Sequence, residues 1–181
     1  MNAAFFDMDQ TVLRIDTLRS WIAYQRKSGE ISTTDLLRGM YWGILYRLAL
    51  TSFDAMENSF STMAGDSEYD LTQKGQRWFR ECVEPEISSD AVKAIEHHRQ
   101  RGVKTVLLTA STQYTPEALS AILNIDHTLC SRLEVVDGRF TGRLESRCYG
   151  KHKVCAAEEF AQSHGVNLDR STFYSDSYLD L

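Results

Sequence analysis

The sequence predicts an α/β protein, with a three-layer core around a parallel sheet and a separate α-helical unit inserted early in the chain. Three observations carry that prediction. The chain opens on a short apolar run, Ala3-Ala4-Phe5-Phe6, that passes directly into two carboxylates, Asp7 and Asp9, as a buried strand does where it meets a polar turn. The next strand signal, over 103–108, follows a helix that closes at Arg101-Gly102, and helix then strand is half of a βαβ unit. A right-handed crossover needs roughly a dozen residues. The interval from Leu13 to Val103 is far longer, so the excess forms a unit of its own.

Composition narrows the function classes. With 181 residues, 43% of them hydrophobic, the chain buries a substantial core without disulfides. A formal net charge of -5 offers no electrostatic footprint for nucleic acid or an anionic membrane, so neither is expected as a partner. Cys82, Cys130, Cys148 and Cys155 show no zinc spacing and read as reduced thiols of a cytoplasmic protein. Met1-Asn2-Ala3-Ala4 lacks the basic region of a signal peptide. The longest apolar run, 40–50, contains Arg47 and is too short to span a bilayer. Its aromatics, Tyr41, Trp42 and Tyr46, suit helix-core packing ahead of a membrane-facing or substrate-facing surface.

In chain order, Asp16 or Thr17 caps a helix that Gly29 ends. A second helix runs to about Leu50, and a third from Ser52 to near Gly65. A fourth, over about 67–83, places Leu71, Trp78 and Phe79 on its apolar side and stops at Pro85. These four make a bundle. A helix from Ser88 or Ser89 leads into strand 103–108. After it come a helix over 116–123, a strand over 126–130 and a hairpin over 133–142 turning at Asp137-Gly138. A helix over 151–164 ends at Gly165, and 172–174 is the last strand. The core is thus 1–15 and 85–181, and the helical insertion is 16–84.

Four stretches concentrate chemistry. Phe6-Asp7-Met8-Asp9-Gln10-Thr11 and Tyr174-Ser175-Asp176-Ser177-Tyr178-Leu179-Asp180 each run a buried strand into two carboxylates. Burying acids is costly unless a cation or ligand offsets it, and the carboxyl ends of strands in an open α/β sheet are where ligands bind. Leu108-Thr109-Ala110-Ser111 ends a strand on hydroxyls, although a Thr or Ser there also serves as a helix cap. Gly150-Lys151-His152-Lys153-Val154 opens a helix with two lysines, a type that on its own is usually just solvated.

Taken in order, these stretches resemble the four signatures of the haloacid dehalogenase superfamily of phosphohydrolases, whose core is Rossmann-like. The long insertion between the first and second is similar to the helical-cap branch, which includes phosphoserine phosphatases. The resemblance implies a magnesium-dependent phosphatase acting on a small phosphate monoester through an aspartyl-phosphate. In it Asp7 is the nucleophile and Asp9 the proton donor and later base, while Thr109, with Ala110, binds the phosphoryl oxygens. A lysine, Lys153 by the G-x-x-K-V spacing or else Lys151, neutralises the transferring group. Asp7, the backbone carbonyl of Asp9 and Asp176 would hold Mg2+, with Asp180 acting through water or by orienting the lysine. Hard oxygen donors in small number suit that ion.

Asp16 lies near the position that meets the substrate ammonium in phosphoserine phosphatases, and Arg19 is available for a second anionic group. Relatives of this kind continue past the fourth signature with another strand and helix, whereas this chain stops at Leu181. The resemblance therefore predicts an exposed last strand, with self-association through it as an expectation. A non-catalytic phosphate-binding module and a phosphotransferase are the alternatives to hydrolysis.

Overall fold

The computed structural model describes residues 1–29 and 60–176. Five strands form one sheet in the order β4-β3-β2-β1-β5: β1 (Ala3–Phe6), β2 (Lys104–Thr112), β3 (His127–Val136), β4 (Arg139–Ser146) and β5 (Thr172–Tyr174). Helices α1 (Thr17–Lys27) and α2 (Glu68–Trp78) lie between β1 and β2, and α3 (Ser89–Gln100), α4 (Tyr114–Leu123) and α5 (Lys151–His164) accompany the sheet. The expected helix reaching to about Leu50, and most of the one that follows it, lie outside the described residues.

The alternation of apolar side chains builds three layers. Ala4, Phe6 and Leu107 join Ala91 and Ile95 of α3 and Leu119 of α4 in one buried cluster. Ala3, Phe5, Val106 and Leu108 face the other way, onto Phe160 of α5. Burying each large side chain in this way contributes about 1.5–3 kcal/mol. Strand β1 is buried on both faces, as a central parallel strand must be, and it pairs in parallel with both β2 and β5.

The sheet is mixed and not purely parallel, because β4 runs antiparallel to β3. Asp137 (φ 50°) and Gly138 (φ 73°) form the two-residue turn with both φ values positive that matches strand twist. Where two separate units were expected, over 126–130 and 133–142, β3 is one continuous strand. The polar pair Ser131-Arg132 does not break it: Ser131 Oγ accepts from the Cys148 amide at 3.1 Å and Arg132 pairs with Glu117 at 2.6 Å. Strand β2 also outruns its apolar stretch, reaching Thr112 through a register shift after Leu108. As a result α4 begins at Tyr114 rather than Pro116, with Gln113 and not Ser111 at its start.

The described part of the insertion is held at its roots and along β4. Its roots pair with each other, Arg14 N donating to Glu86 O and Ser88 N to Val12 O, each at 2.9 Å. Near its other end, residues 65–68 lie along β4: Gly65 N donates to Phe140 O at 2.8 Å, Phe140 N to Asp66 O at 3.0 Å and Glu68 N to Gly138 O at 3.0 Å. Helices α1 and α2 meet through Trp21 against Trp78, with ring centroids 5.1 Å apart, and Trp78 Nε1 donates to Ser20 Oγ at 3.1 Å. Helix α2 ends at Trp78, and the expected remainder to Val83 is wound as a wider turn that buries Phe79 and Val83.

The insertion approaches β4 closely at Gly142. Its φ is +81°, and a Cβ there would stand 3.0 Å from the Ser61 Cα and 3.1 Å from the Ala64 Cβ. Gly142→Ala is therefore expected to cost about 1–3 kcal/mol in chemical unfolding, whereas Gly75→Ala on α2, with open space around it, is expected to be neutral or mildly stabilising. No helix among the described residues is long and apolar enough to cross a membrane.

Candidate active site

The carboxyl end of β1 is the centre of the site. Asp7 follows the strand directly, its amide donating to Tyr174 O of β5 at 2.9 Å, so the chain ends of β1 and β5 are tied together. Beyond it the backbone makes a tight wide turn over Met8–Val12, with Gln10 in the left-handed region at φ 56°. This turn puts Asp7 and Asp9 on the same opening. Across the sheet, helix α5 starts at Gly150, and Lys153 in its first turn reaches back to Asp7 with Nζ 2.8 Å from Oδ1. The side chains of Lys153 and Asp7 are only 9% and 11% exposed. An ion pair so nearly buried survives only when its charges meet closely.

A cavity of about 180 Å³ opens over this pair, lined by Asp7, Asp9, Thr109, Ala110, Ser111, Tyr149, Gly150 and Lys153. Thr109 is buried at the bend of β2, and its Oγ1 accepts from the Ser111 amide at 3.3 Å, which leaves the hydroxyl proton available to a ligand. The cavity therefore combines a cation, a hydroxyl donor and two carboxylates, the components needed to bind an oxyanion and move a proton.

The two carboxylates are set apart by their surroundings. Burial pushes the Asp9 carboxyl up from 3.8 to about 6, against the hydrogen bonds from Thr17 that lower it and ahead of smaller contributions from Asp16 and Asp7. A carboxyl with that value keeps a protonated fraction near neutrality that an ordinary carboxyl does not, which suits a general acid. The stability sign follows: below about pH 3.8 Asp9 is largely neutral in both folded and unfolded chains, the cost of its burial grows as pH rises from there to about 6 because only the unfolded chain ionises freely, and above about 6 that cost is constant. Asp9→Asn is thus expected to raise stability above pH 7, in chelator, by up to about 3 kcal/mol, with no gain at pH 3.5. Urea unfolding at the two pH values checks this.

Residues 4–181 match the model of the haloacid dehalogenase-like hydrolases. The chain belongs to that family. It is 28% identical to an inhibition of morphological differentiation protein of Streptomyces azureus, over 99% of this chain and 66% of that protein. It is 28% identical to a phosphoserine phosphatase of Mycobacterium tuberculosis, over 99% of this chain and 60% of that enzyme. The chain thus spans less than two thirds of the length of these relatives, 66% and 60%. A crystal structure of a Bordetella pertussis protein of unknown function shares the fold, with a TM-score of 0.86 and 24% identity over 99% of this chain and 84% of that one.

Within this family member, the structure brings Asp7, Asp9, Thr109, Ala110 and Lys153 together around one cavity. Lys151, two residues earlier, is exposed. Asp16 does not line the cavity; its side chain caps α1 by accepting from Arg19 N at 3.0 Å, and Arg19 Nε stands 3.8 Å from the same carboxylate. Asp176 is exposed just beyond β5, one residue past the level at which β1 and β5 are joined at Asp7. Asp180 lies outside the described residues. No group of three or more His, Cys, Asp or Glu side chains gathers as a metal centre among the described residues.

Three lining residues, Ser111, Tyr149 and Gly150, are additions to the expected set. Gly150 was legible as the start of a helix, and its φ of 51° lets the chain turn into α5 at the cavity wall. Tyr149 is 1% exposed and carries no sequence signal beyond its place beside that glycine.

Proposed function

We propose that this chain carries the active site of a magnesium-dependent phosphatase that hydrolyses a small phosphate monoester through an aspartyl-phosphate on Asp7. The observation that carries the reading is the buried Lys153–Asp7 pair at 2.8 Å, in one cavity with a second carboxyl, Asp9, whose proton affinity burial raises. Lys153 and the Thr109 hydroxyl hold the phosphoryl oxygens, offsetting the repulsion between a dianion and a carboxylate nucleophile. An Asp7 oxygen forms a bond to phosphorus as the ester P–O bond breaks, and Asp9 gives its proton to the departing alcohol oxygen. Asp9, now a carboxylate, takes a proton from the water that attacks the acyl phosphate, so inorganic phosphate leaves and Asp7 is restored.

The donors at the strand ends fit a small hard cation. The Asp7 and Asp176 carboxylates and the Asp9 carbonyl supply few oxygens, and magnesium retains several waters. Asp180 would act on it through water or by orienting Lys153. When bound, magnesium supplies positive charge against the transferring phosphoryl group. Residues 16–84 serve as a cap over the core formed by 1–15 and 85–181.

The substrate reading is phosphoserine or a related amino-alcohol phosphate. It is supported by the 28% identity with the M. tuberculosis phosphoserine phosphatase. Hydrolysis of a panel of phosphomonoesters by the full chain, with magnesium and with chelator, tests it. Preference for phosphoserine, lost in chelator, is expected; turnover that is unchanged in chelator or indifferent to the amino group would contradict it.

A further inference from the structure

The geometry points to Thr17 as the positioning residue for the proton donor, an inference that rests on the phosphatase reading above. Asp9 is held at both oxygens by this one residue: Oδ1 accepts from the Thr17 amide at 3.0 Å and Oδ2 from Thr17 Oγ1 at 3.1 Å. Thr17 is the first residue of α1 and is 5% exposed. The helix's own cap does not use this amide, because the Asp16 side chain takes the Arg19 amide instead. One of the donors that every helix start leaves over is therefore given to Asp9.

A carboxyl gripped at both oxygens has its plane fixed, while each oxygen keeps a second lone pair. The grip comes from α1, an element of the insertion, so the direction in which Asp9 presents its proton to the cavity is set from outside the core. A side chain that served only to cap α1 would support folding equally for every substrate. A positioning role is selective. It matters where the leaving alcohol needs a proton and matters little where the leaving group departs readily as an anion.

The test compares kcat/KM of the full chain for an alkyl phosphate and an aryl phosphate, since kcat/KM covers the steps up to departure of the alcohol. Thr17→Val keeps the shape and the amide but removes the hydroxyl. It is expected to lower the alkyl value roughly tenfold, the scale of one charge-assisted hydrogen bond, and the aryl value less than about twofold. Thr17→Ser is expected to restore the alkyl value. Equal losses on both substrates, or none, would overturn the role of Thr17 while leaving the phosphatase reading intact. Turnover of neither substrate by the unaltered chain would remove both. The contact itself is checked without catalysis or variants of Thr17: its amide proton should resonate downfield and move upfield in Asp9→Ala, and an unmoved resonance would also overturn the inference.

Discussion

Asp7→Asn is expected to abolish phosphomonoester turnover, by roughly 10⁴-fold or more, as removal of a covalent nucleophile does. The same substitution also reaches the fold. Lys153 is nearly buried and meets Asp7 at 2.8 Å, so exchanging the carboxylate for an amide leaves an ammonium facing a neutral partner in a poorly solvated place. Breaking a buried pair from one side costs about 3–5 kcal/mol, which for a chain of this size lowers Tm by about 6–20 °C. Activity and thermal melting measured on one preparation separate the two effects. An Asp7→Asn protein that melts like the unaltered chain would show that the ion pair contributes little, and one that retains turnover would remove Asp7 from the chemistry.

Lys153→Met is the complementary change, with a different signature. Methionine fills the space of the lysine stem, which lies 5.6 Å from the Phe173 ring centre at its charged end, so packing is largely conserved. The Asp7 carboxylate, nearly buried, loses the ammonium that meets it at 2.8 Å. Two consequences are expected: a fall in turnover of roughly 10²–10³-fold, the scale of losing one transition-state donor, and a loss of stability of about 3–5 kcal/mol, because a nearly buried pair is broken from one side. Magnesium would return part of that stability by binding the folded form. A Lys153→Met protein with unaltered stability at pH 8 in chelator would contradict this account of the pair.

What was legible in the chain follows from which signals are local. The bounds of α5 stood out because Gly150 and Gly165 flank it, and both have positive φ. Strand β1 was equally plain, since four apolar residues meet two carboxylates without transition. Strand β3 was not, because Ser131 and Arg132 look like a break until their partners, Cys148 and Glu117, are brought in from elsewhere in the chain. The choice between Lys151 and Lys153 had the same limit. Two residues apart on a helix, they point about 200° apart, and which one faces inward depends on how α5 sits against the sheet. Lys153 is 7% exposed and touches Asp7, whereas Lys151 is exposed. Thr17 was visible only as a helix start, because its contact with Asp9 exists only once α1 folds back over the first turn.

The covalent intermediate on Asp7 is the central claim, and trapping it is the most direct test. The full chain would be mixed with a turned-over phosphomonoester and magnesium, quenched, and reduced with borohydride, which converts an aspartyl-phosphate to homoserine. Peptide mass analysis is expected to find homoserine at position 7 and nowhere else. Hydrolysis that proceeds with an unmodified Asp7, or with the label on another residue, would contradict the account.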